Sequence, residues 1–249
     1  MGGFSTDCPL VLVTGAAKRI GAAVSSRFHE SGYRTLIHFN QSKLEAEELY
    51  AKLNSLRADS AFLVQGDLND PSTLDTIVEE VTKLGRLDVL VNNASSFYPT
   101  PLEAANEGQW NDLMNSNLKS PFFLCKRLAK VLTQNSGSIV NLADIHAYQA
   151  LKDHPIYTVA KAGNIAMTKS LALELAPHVR VNGVSPGAIL WPQHELDDTK
   201  KHKKVLESVP MGKLGCEADI AECVFFLASK ASYVTGQTIS VDGGASHSI

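Results

Sequence analysis

The 249-residue chain lacks a strong charge of either sign: 23 basic against 26 acidic side chains leave a formal charge of −3. That balance excludes a nucleic-acid surface that works by bulk charge. Cysteine is scarce. The four residues at 8, 125, 216 and 223 form no Cys-x-x-Cys pair and suggest no disulfide framework. No apolar stretch approaches the roughly 18 residues of a membrane span, and Leu10–Val13 is too short for a signal-peptide core. Met1-Gly2-Gly3-Phe4-Ser5-Thr6 fits the loose myristoylation pattern. No polybasic patch or second lipid signal follows, so a plain flexible arm over residues 1–8 is the expectation. The expected protein is reduced and cytoplasmic, with no metal, nucleic-acid or membrane partner.

What the chain does have is a repeating alternation. Leu10–Val13, Thr35–Phe39, Ala61–Val64, Val89–Val91, Ser138–Asn141, Val179–Asn182 and Thr238–Val241 are short β-prone runs. Between them, apolar residues recur at helical spacing: Ile20, Ala23, Val24 and Phe28, then Leu49, Leu53 and Leu56, then Leu74, Ile77, Val78, Val81 and Leu84. Continuous apolar strands alternating with amphipathic helices indicate a parallel sheet covered on both faces. The expected fold is α/β, a Rossmann-type doubly wound sheet in one domain over residues 9–249, with a substrate loop at about 188–210. Such sheets bind ligands beyond the carboxyl ends of their strands, at the switch in strand order.

The turn after the first strand, Thr14-Gly15-Ala16-Ala17-Lys18-Arg19-Ile20-Gly21, matches neither Gly-x-Gly-x-x-Gly nor the Walker pattern. Its glycines and the following helix start suit a phosphate, although an ordinary strand–helix turn has the same look. The second strand ends His38-Phe39-Asn40-Gln41-Ser42 with no carboxylate for a ribose diol, while Lys18 and Arg19 stand in the first turn. A carboxylate repels a 2′-phosphate and a guanidinium binds it, so the sequence prefers NADPH.

Tyr157 and Lys161 are four residues apart at the start of a long helical pattern, which puts phenol and ammonium on one face. A nearby cation would lower the tyrosine pKa and ease proton donation, although many such pairs are surface pairs. Asn117 shares a helical face with Trp110, Leu113, Met114 and Leu118, where it is either functional or a satisfied core residue.

Taken together, Thr14-Gly15, Asp67, Asn92-Asn93-Ala94, Asn117, Tyr157/Lys161 and Pro186-Gly187 resemble the motif series of short-chain dehydrogenases/reductases across essentially the whole chain. The resemblance implies that Tyr157 exchanges the substrate proton, Lys161 binds the nicotinamide ribose, and Asn117 supports a water relay. It also implies cofactor contacts from Gly15, Ile20, His38, Asn40, Ser42, Asp67, Leu68, Asn93, Ala94, Pro186 and Gly187, beside Lys18 and Arg19. The position thirteen before the tyrosine, usually serine in the family, is Asp144. Arg19 replaces a turn glycine and Ser95 follows Asn-Asn-Ala. With Thr14–Gly21 and Asn92–Leu102, these departures resemble pteridine reductases. That narrower resemblance implies Arg19 and Ser95 on phosphate or pterin groups, Phe97 stacked on the pterin, and Asp144 orienting it. Asp144 as a helix cap and Phe97 as a core aromatic are the competing readings. Gln41 departs from the parasite-type reductases, which carry arginine there.

In the substrate loop, Leu190 and Trp191 suit either an apolar lid or a buried anchor. Lys200, Lys201, Lys203 and Lys204 suit a folate tail or a self-paired solvated helix, since Asp197 lies three and four residues before the first two. The terminal segment from Tyr233 to Gly244 resembles the family signature, and a homotetramer is the corresponding expectation. The alternatives to a dihydropterin or dihydrofolate reductase are a 3-oxoacyl-thioester or other carbonyl reductase and a non-catalytic NADP-binding regulator.

Overall fold

In β1 (Leu10–Val13) successive side chains point to opposite faces, and each face meets an apolar layer. Leu10 and Leu12 enter a core shared with Leu74, Ile77, Leu124, Leu128, Met167 and Leu171. Val11 and Val13 enter another with Val24, Phe28, Leu49, Val224 and Phe225. A strand apolar on both faces has to be covered on both sides, and the helices divide accordingly. The computed structural model describes residues 8–189 and 206–247.

The elements alternate as the hydrophobic pattern predicts: α1 (Arg19–Glu30), β2 (Arg34–Phe39), α2 (Lys43–Leu56), β3 (Ala61–Gln65), α3 (Pro71–Leu84) and β4 (Val89–Asn92) form the first half. The second half is α4 (Glu107–Met114), α5 (Ser120–Gln134), β5 (Ser138–Leu142), α6 (Pro155–Leu175), β6 (Arg180–Pro186), α7 (Glu217–Ser229) and β7 (Thr238–Val241). The seven strands are parallel in the order β3-β2-β1-β4-β5-β6-β7. The chain therefore reverses its winding between β1 and β4, and a crevice opens above that pair. No helix among the described residues is long and apolar enough to cross a membrane.

Local signals set the ends. At α3 the Asp70 side chain accepts from Ser72 N, Pro71 occupies the first turn, and Gly85 closes the helix at φ 77°. Asn106 and Gln109 form a reciprocal capping box on α4.

Three expectations need correction. Leu56 is exposed, because α2 turns Ala46, Leu49 and Leu53 inward and ends a turn later. β6 does not stop at Asn182; its second half, Gly183–Pro186, pairs with β7, which carries the strand out to the crevice. Asn117 does not lie on a regular helical face. Residues Asn115–Lys119 form a π-helical turn between α4 and α5, with Ser120 N bonded to Asn115 O, and Trp110 is exposed while Leu113 is buried. The extra residue in that turn shifts the faces of the two helices relative to each other.

A buried polar chain ties the sheet to α6. Asn92 and Asn141 face each other across β4 and β5, and Asn92 Nδ2 donates to Asn141 Oδ1 at 2.8 Å. Asn141 Nδ2 donates to Thr168 Oγ1 at 2.9 Å, and that hydroxyl donates to Asn164 O at 3.0 Å. Replacing Asn141 by leucine removes both of its side-chain bonds and leaves buried partners stranded. Asn141→Leu is expected to cost about 1–3 kcal/mol in urea unfolding; a loss below about 0.5 kcal/mol would show that these bonds contribute little.

Candidate active site

A cleft of about 710 Å³ opens at the carboxyl ends of β1, β2, β4, β5 and β6. Its walls bring together residues that lie far apart in the chain, from Gly15 to Ile189. All the sequence-predicted site residues within the described segments line it except Asn117. Leu190, Trp191 and the lysines at 200, 201, 203 and 204 lie outside the described residues.

The turn after β1 is fixed from three sides. Thr14 Oγ1 accepts from the backbone N–H groups of Asn93 and Ala94, at 3.0 and 3.1 Å. Asn93 Nδ2 returns two bonds, to Thr14 O at 2.8 Å and Gly15 O at 2.9 Å. Gly15 holds φ +60°, and a Cβ there would come within 2.9 Å of Ala94 Cα. A side chain at Gly21 would meet Gly15 O at 2.4 Å, so α1 packs directly on the turn.

Above this turn α1 starts without a side-chain cap and without an acidic residue in its first turn. Such a start leaves N–H groups and the positive end of the helix dipole for an anion. Arg19, exposed beside it, adopts φ +54°, a left-handed conformation that glycine would hold without strain. The donor set fits the phosphates of a dinucleotide. Lys18, expected to face a phosphate, is ion-paired with Glu45 at 3.2 Å, both side chains being largely exposed. An exposed pair of this kind holds its partners weakly and exchanges readily.

His38, expected as a cofactor contact, lines the cleft, and its ring is buried with both nitrogens engaged by the backbone. Nδ1 lies 3.2 Å from Gly15 N and accepts from it, while Nε2 lies 3.1 Å from Gly66 O and donates to it. The ring braces the first turn against the loop after β3, and burial pushes its pKa down to about 4. Beyond it the rim is formed by Asn40, Gln41 and Ser42 from the end of β2, with Asp67 and Leu68 from the loop after β3.

At the other end of the cleft, Tyr157 and Lys161 are buried on one face of α6. Tyr157 Oη donates to Asp144 Oδ2 at 2.7 Å. Lys161 Nζ donates to Leu142 O at 2.8 Å and stands 5.6 Å from the Tyr157 ring. Asp144 also meets the competing reading of a cap, because its Oδ1 accepts from His146 N at the start of a short 3-10 turn.

The expectation of a lowered tyrosine pKa is overturned for this arrangement. Burial and the facing Asp144 carboxylate raise it well above 10, so the phenol is firmly protonated. Burial lowers Lys161 to about 8, partly opposed by the Asp144 charge. Phe97 is not a core aromatic. It is 54% exposed, edge-on to Tyr157 at 4.8 Å and stacked on His154 at 4.8 Å. Asn117 stands behind the cleft wall, with Nδ2 donating to Ser96 O, Leu113 O and Ser116 Oγ; Ser116 is the residue that lines the cleft. Ser95, Pro186 and Gly187 complete the lining between the two ends.

Sequence reasoning missed Asp112, Asn69, Ser96 and Ser116, which also line the cleft. They carry no motif, and the loop contacts that bring them in are not periodic. Among the described residues no group of three or more histidine, cysteine or carboxylate side chains could hold a metal ion.

Fold and cleft define a doubly wound α/β protein with a dinucleotide-type crevice. A family model described as enoyl-(acyl carrier protein) reductase matches residues 15–246. The chain is 37% identical to pteridine reductase 1 of Leishmania tarentolae, an alignment covering 97% of this chain and 98% of that protein. It is 36% identical to 3-oxoacyl-(acyl-carrier-protein) reductases of Staphylococcus aureus and Thermotoga maritima, in each case covering 94% of this chain and 96% of the relative. The chain belongs to the short-chain dehydrogenase/reductase family, oxidoreductases that use NAD(P)H.

The brace at His38 makes a pH prediction. Its folded pKa of about 4 lies below the ordinary 6.5, so the unfolded chain takes the proton first as pH falls. The stability it contributes is present above about pH 6.5 and is lost as pH falls through about 4, by up to about 3 kcal/mol. Urea midpoints measured across that window should decline more steeply for the native chain than for His38→Gln; parallel curves would refute the assignment.

Proposed function

We propose that the protein is an NADPH-dependent pteridine reductase that converts a dihydropterin or dihydrofolate to its tetrahydro form. The observation that carries this reading is the Asp144 carboxylate on the cleft wall, sharing a hydrogen bond with the Tyr157 hydroxyl beside the exposed ring of Phe97. An aminopyrimidine offers donors to a carboxylate more strongly than to the serine usual at that position, and its flat ring suits an exposed aromatic face.

In this reading the uncapped start of α1, with Gly15, Arg19 and Ile20, holds the cofactor phosphates. Lys18, exchanged from Glu45, and Asn40 and Ser42 serve the 2′-phosphate, where Asn40-Gln41-Ser42 directly after β2 holds no carboxylate. Asp67, Leu68, Asn93, Ala94, Ser95, Pro186 and Gly187 form the remaining contacts. Bound NADPH supplies the hydride.

The chain's own task is the proton. Reduction of a ring C=N bond leaves negative charge on nitrogen, and the Tyr157 hydroxyl donates to that atom. Asp144 orients the ring by accepting from its amino group. Lys161, close to the phenol ring, offsets the charge left on the phenolate oxygen until it is reprotonated from solvent. Arg19 and Ser95 meet the substrate's polar edge, and Phe97 stacks on its face. Asn117 supports this end of the cleft through its bond to Ser96 O. Exposed Phe122 and Phe123 on α5 and Val159 and Leu173 on α6 are apolar surface that supports assembly of several copies.

Purified protein should oxidise NADPH when given dihydrobiopterin or dihydrofolate, and Tyr157→Phe should lower kcat by about a hundred- to ten-thousand-fold. Turnover of an oxoacyl thioester alone would reassign it to the carbonyl reductases, and no turnover with any acceptor would favour a regulator. Asp144→Ser should reduce kcat/KM for the pterin by at least about tenfold, the loss of one charge-assisted hydrogen bond; an unchanged value would remove the main support for a pterin. The kcat/KM profile should fall above about pH 8, where Lys161 loses the proton that supports the phenolate. A flat profile through pH 9 would argue against that role.

A further inference from the structure

Asp112, on α4, has no role in the chemistry described above, yet it joins two loops that sequence places far apart. Oδ1 accepts from Asn69 Nδ2 at 3.1 Å, in the loop after β3. Oδ2 accepts from Tyr98 Oη at 2.8 Å, in the segment after β4. Both ends are themselves committed. Asn69 N donates to Asp67 Oδ1 at 2.9 Å, which ties the Asn69 backbone to the Asp67 rim. Tyr98 packs on the cluster of Leu113, Ile156 and Tyr157 and follows Phe97 directly in the chain. Burial and the Asp112 carboxylate push the Tyr98 hydroxyl up to about 12, so it remains a donor over any working pH.

We propose that Asp112 is a positioning residue that couples the two sides of the cleft, so that cofactor binding at the Asp67–Asn69 rim orders the Phe97–Pro101 segment, whose Phe97 lines the cleft, before substrate arrives. A carboxylate accepting one bond from each loop is suited to this. Fixing one loop fixes the carboxylate, and the fixed carboxylate holds the other loop in one place. The coupling acts on substrate affinity and leaves the proton donor itself untouched. It rests on the cofactor part of the proposed function and is independent of the identity of the substrate.

Amide hydrogen exchange with NADPH as the only ligand tests it. In the native protein, saturating NADPH should slow exchange about tenfold or more in segment 66–70 and also in segment 97–102. In Asp112→Ala the slowing should persist at 66–70 and vanish at 97–102. Tyr98→Phe keeps the carboxylate and its bond to Asn69 while removing one link, and should lose the slowing at 97–102 in the same way. Ser120→Ala is the control for simple loosening. It removes the 2.7 Å bond from Ser120 Oγ to Leu68 O without touching Tyr98, and should leave the response at 97–102 in place.

Retained slowing at 97–102 in either Asp112→Ala or Tyr98→Phe overturns the proposal. So does the absence of any slowing there in the native protein, or its loss in Ser120→Ala. Failure of NADPH to quench protein fluorescence would sink the cofactor assignment and this proposal together. Failure to turn over a pterin would sink only the substrate assignment.

Discussion

The hydrogen bonds between Thr14 and Asn93 are the constraint on which the rest of the cleft depends. The sheet reverses its winding between β1 and β4, so these two strand ends must diverge to leave a crevice, yet stay close enough to build one floor. Thr14 Oγ1 accepts two backbone amides from the β4 side, and Asn93 Nδ2 answers with two bonds to carbonyls of the β1 turn. With these in place Gly15 sits against Ala94, α1 begins directly above, and His38 closes the third side. A small set of neutral bonds thereby fixes the backbone that faces an anionic ligand.

The far end of the cleft is governed by desolvation. Tyr157 is buried between apolar Leu113 and Ile156 and bonded to a carboxylate, an environment that favours the neutral phenol. Lys161 is buried too, and its charge is held against the Leu142 carbonyl. The two burial effects oppose each other in consequence: one keeps the proton on the phenol, the other brings the neighbouring cation close to neutrality. A site built this way is sensitive to any group that changes the charge around Asp144.

Much of this was legible in the sequence because it is periodic or punctuated. Strand runs such as Leu10–Val13, and the 3,4 spacing of Leu74, Ile77 and Val81, determine which faces are buried, and burial determines the layers. Tyr157 and Lys161 were legible because four residues span one helical turn. What escaped has a physical reason in each case. The π-turn at Asn115–Lys119 inserts a residue with no change in composition, so the face assigned to Asn117 was displaced. The position of His38 at the cleft was legible from its place at the end of β2, whereas its burial and two backbone partners depend on loops distant in sequence. The pKa of Tyr157 was misjudged because spacing reports the nearby cation and is silent about desolvation.

Arg19 carries a wider consequence. An L-residue at φ +54° is strained by roughly 1–2 kcal/mol. Selection for heat resistance or expression alone would therefore drift toward glycine at this position, discarding a guanidinium at the mouth of the cleft. Libraries screened for robustness without a ligand present would converge on sturdier folds with one cation fewer along the cleft. The backbone angle at one residue thus sets durability against the charge of the cleft mouth, and a laboratory lineage of this protein will record which of the two was rewarded.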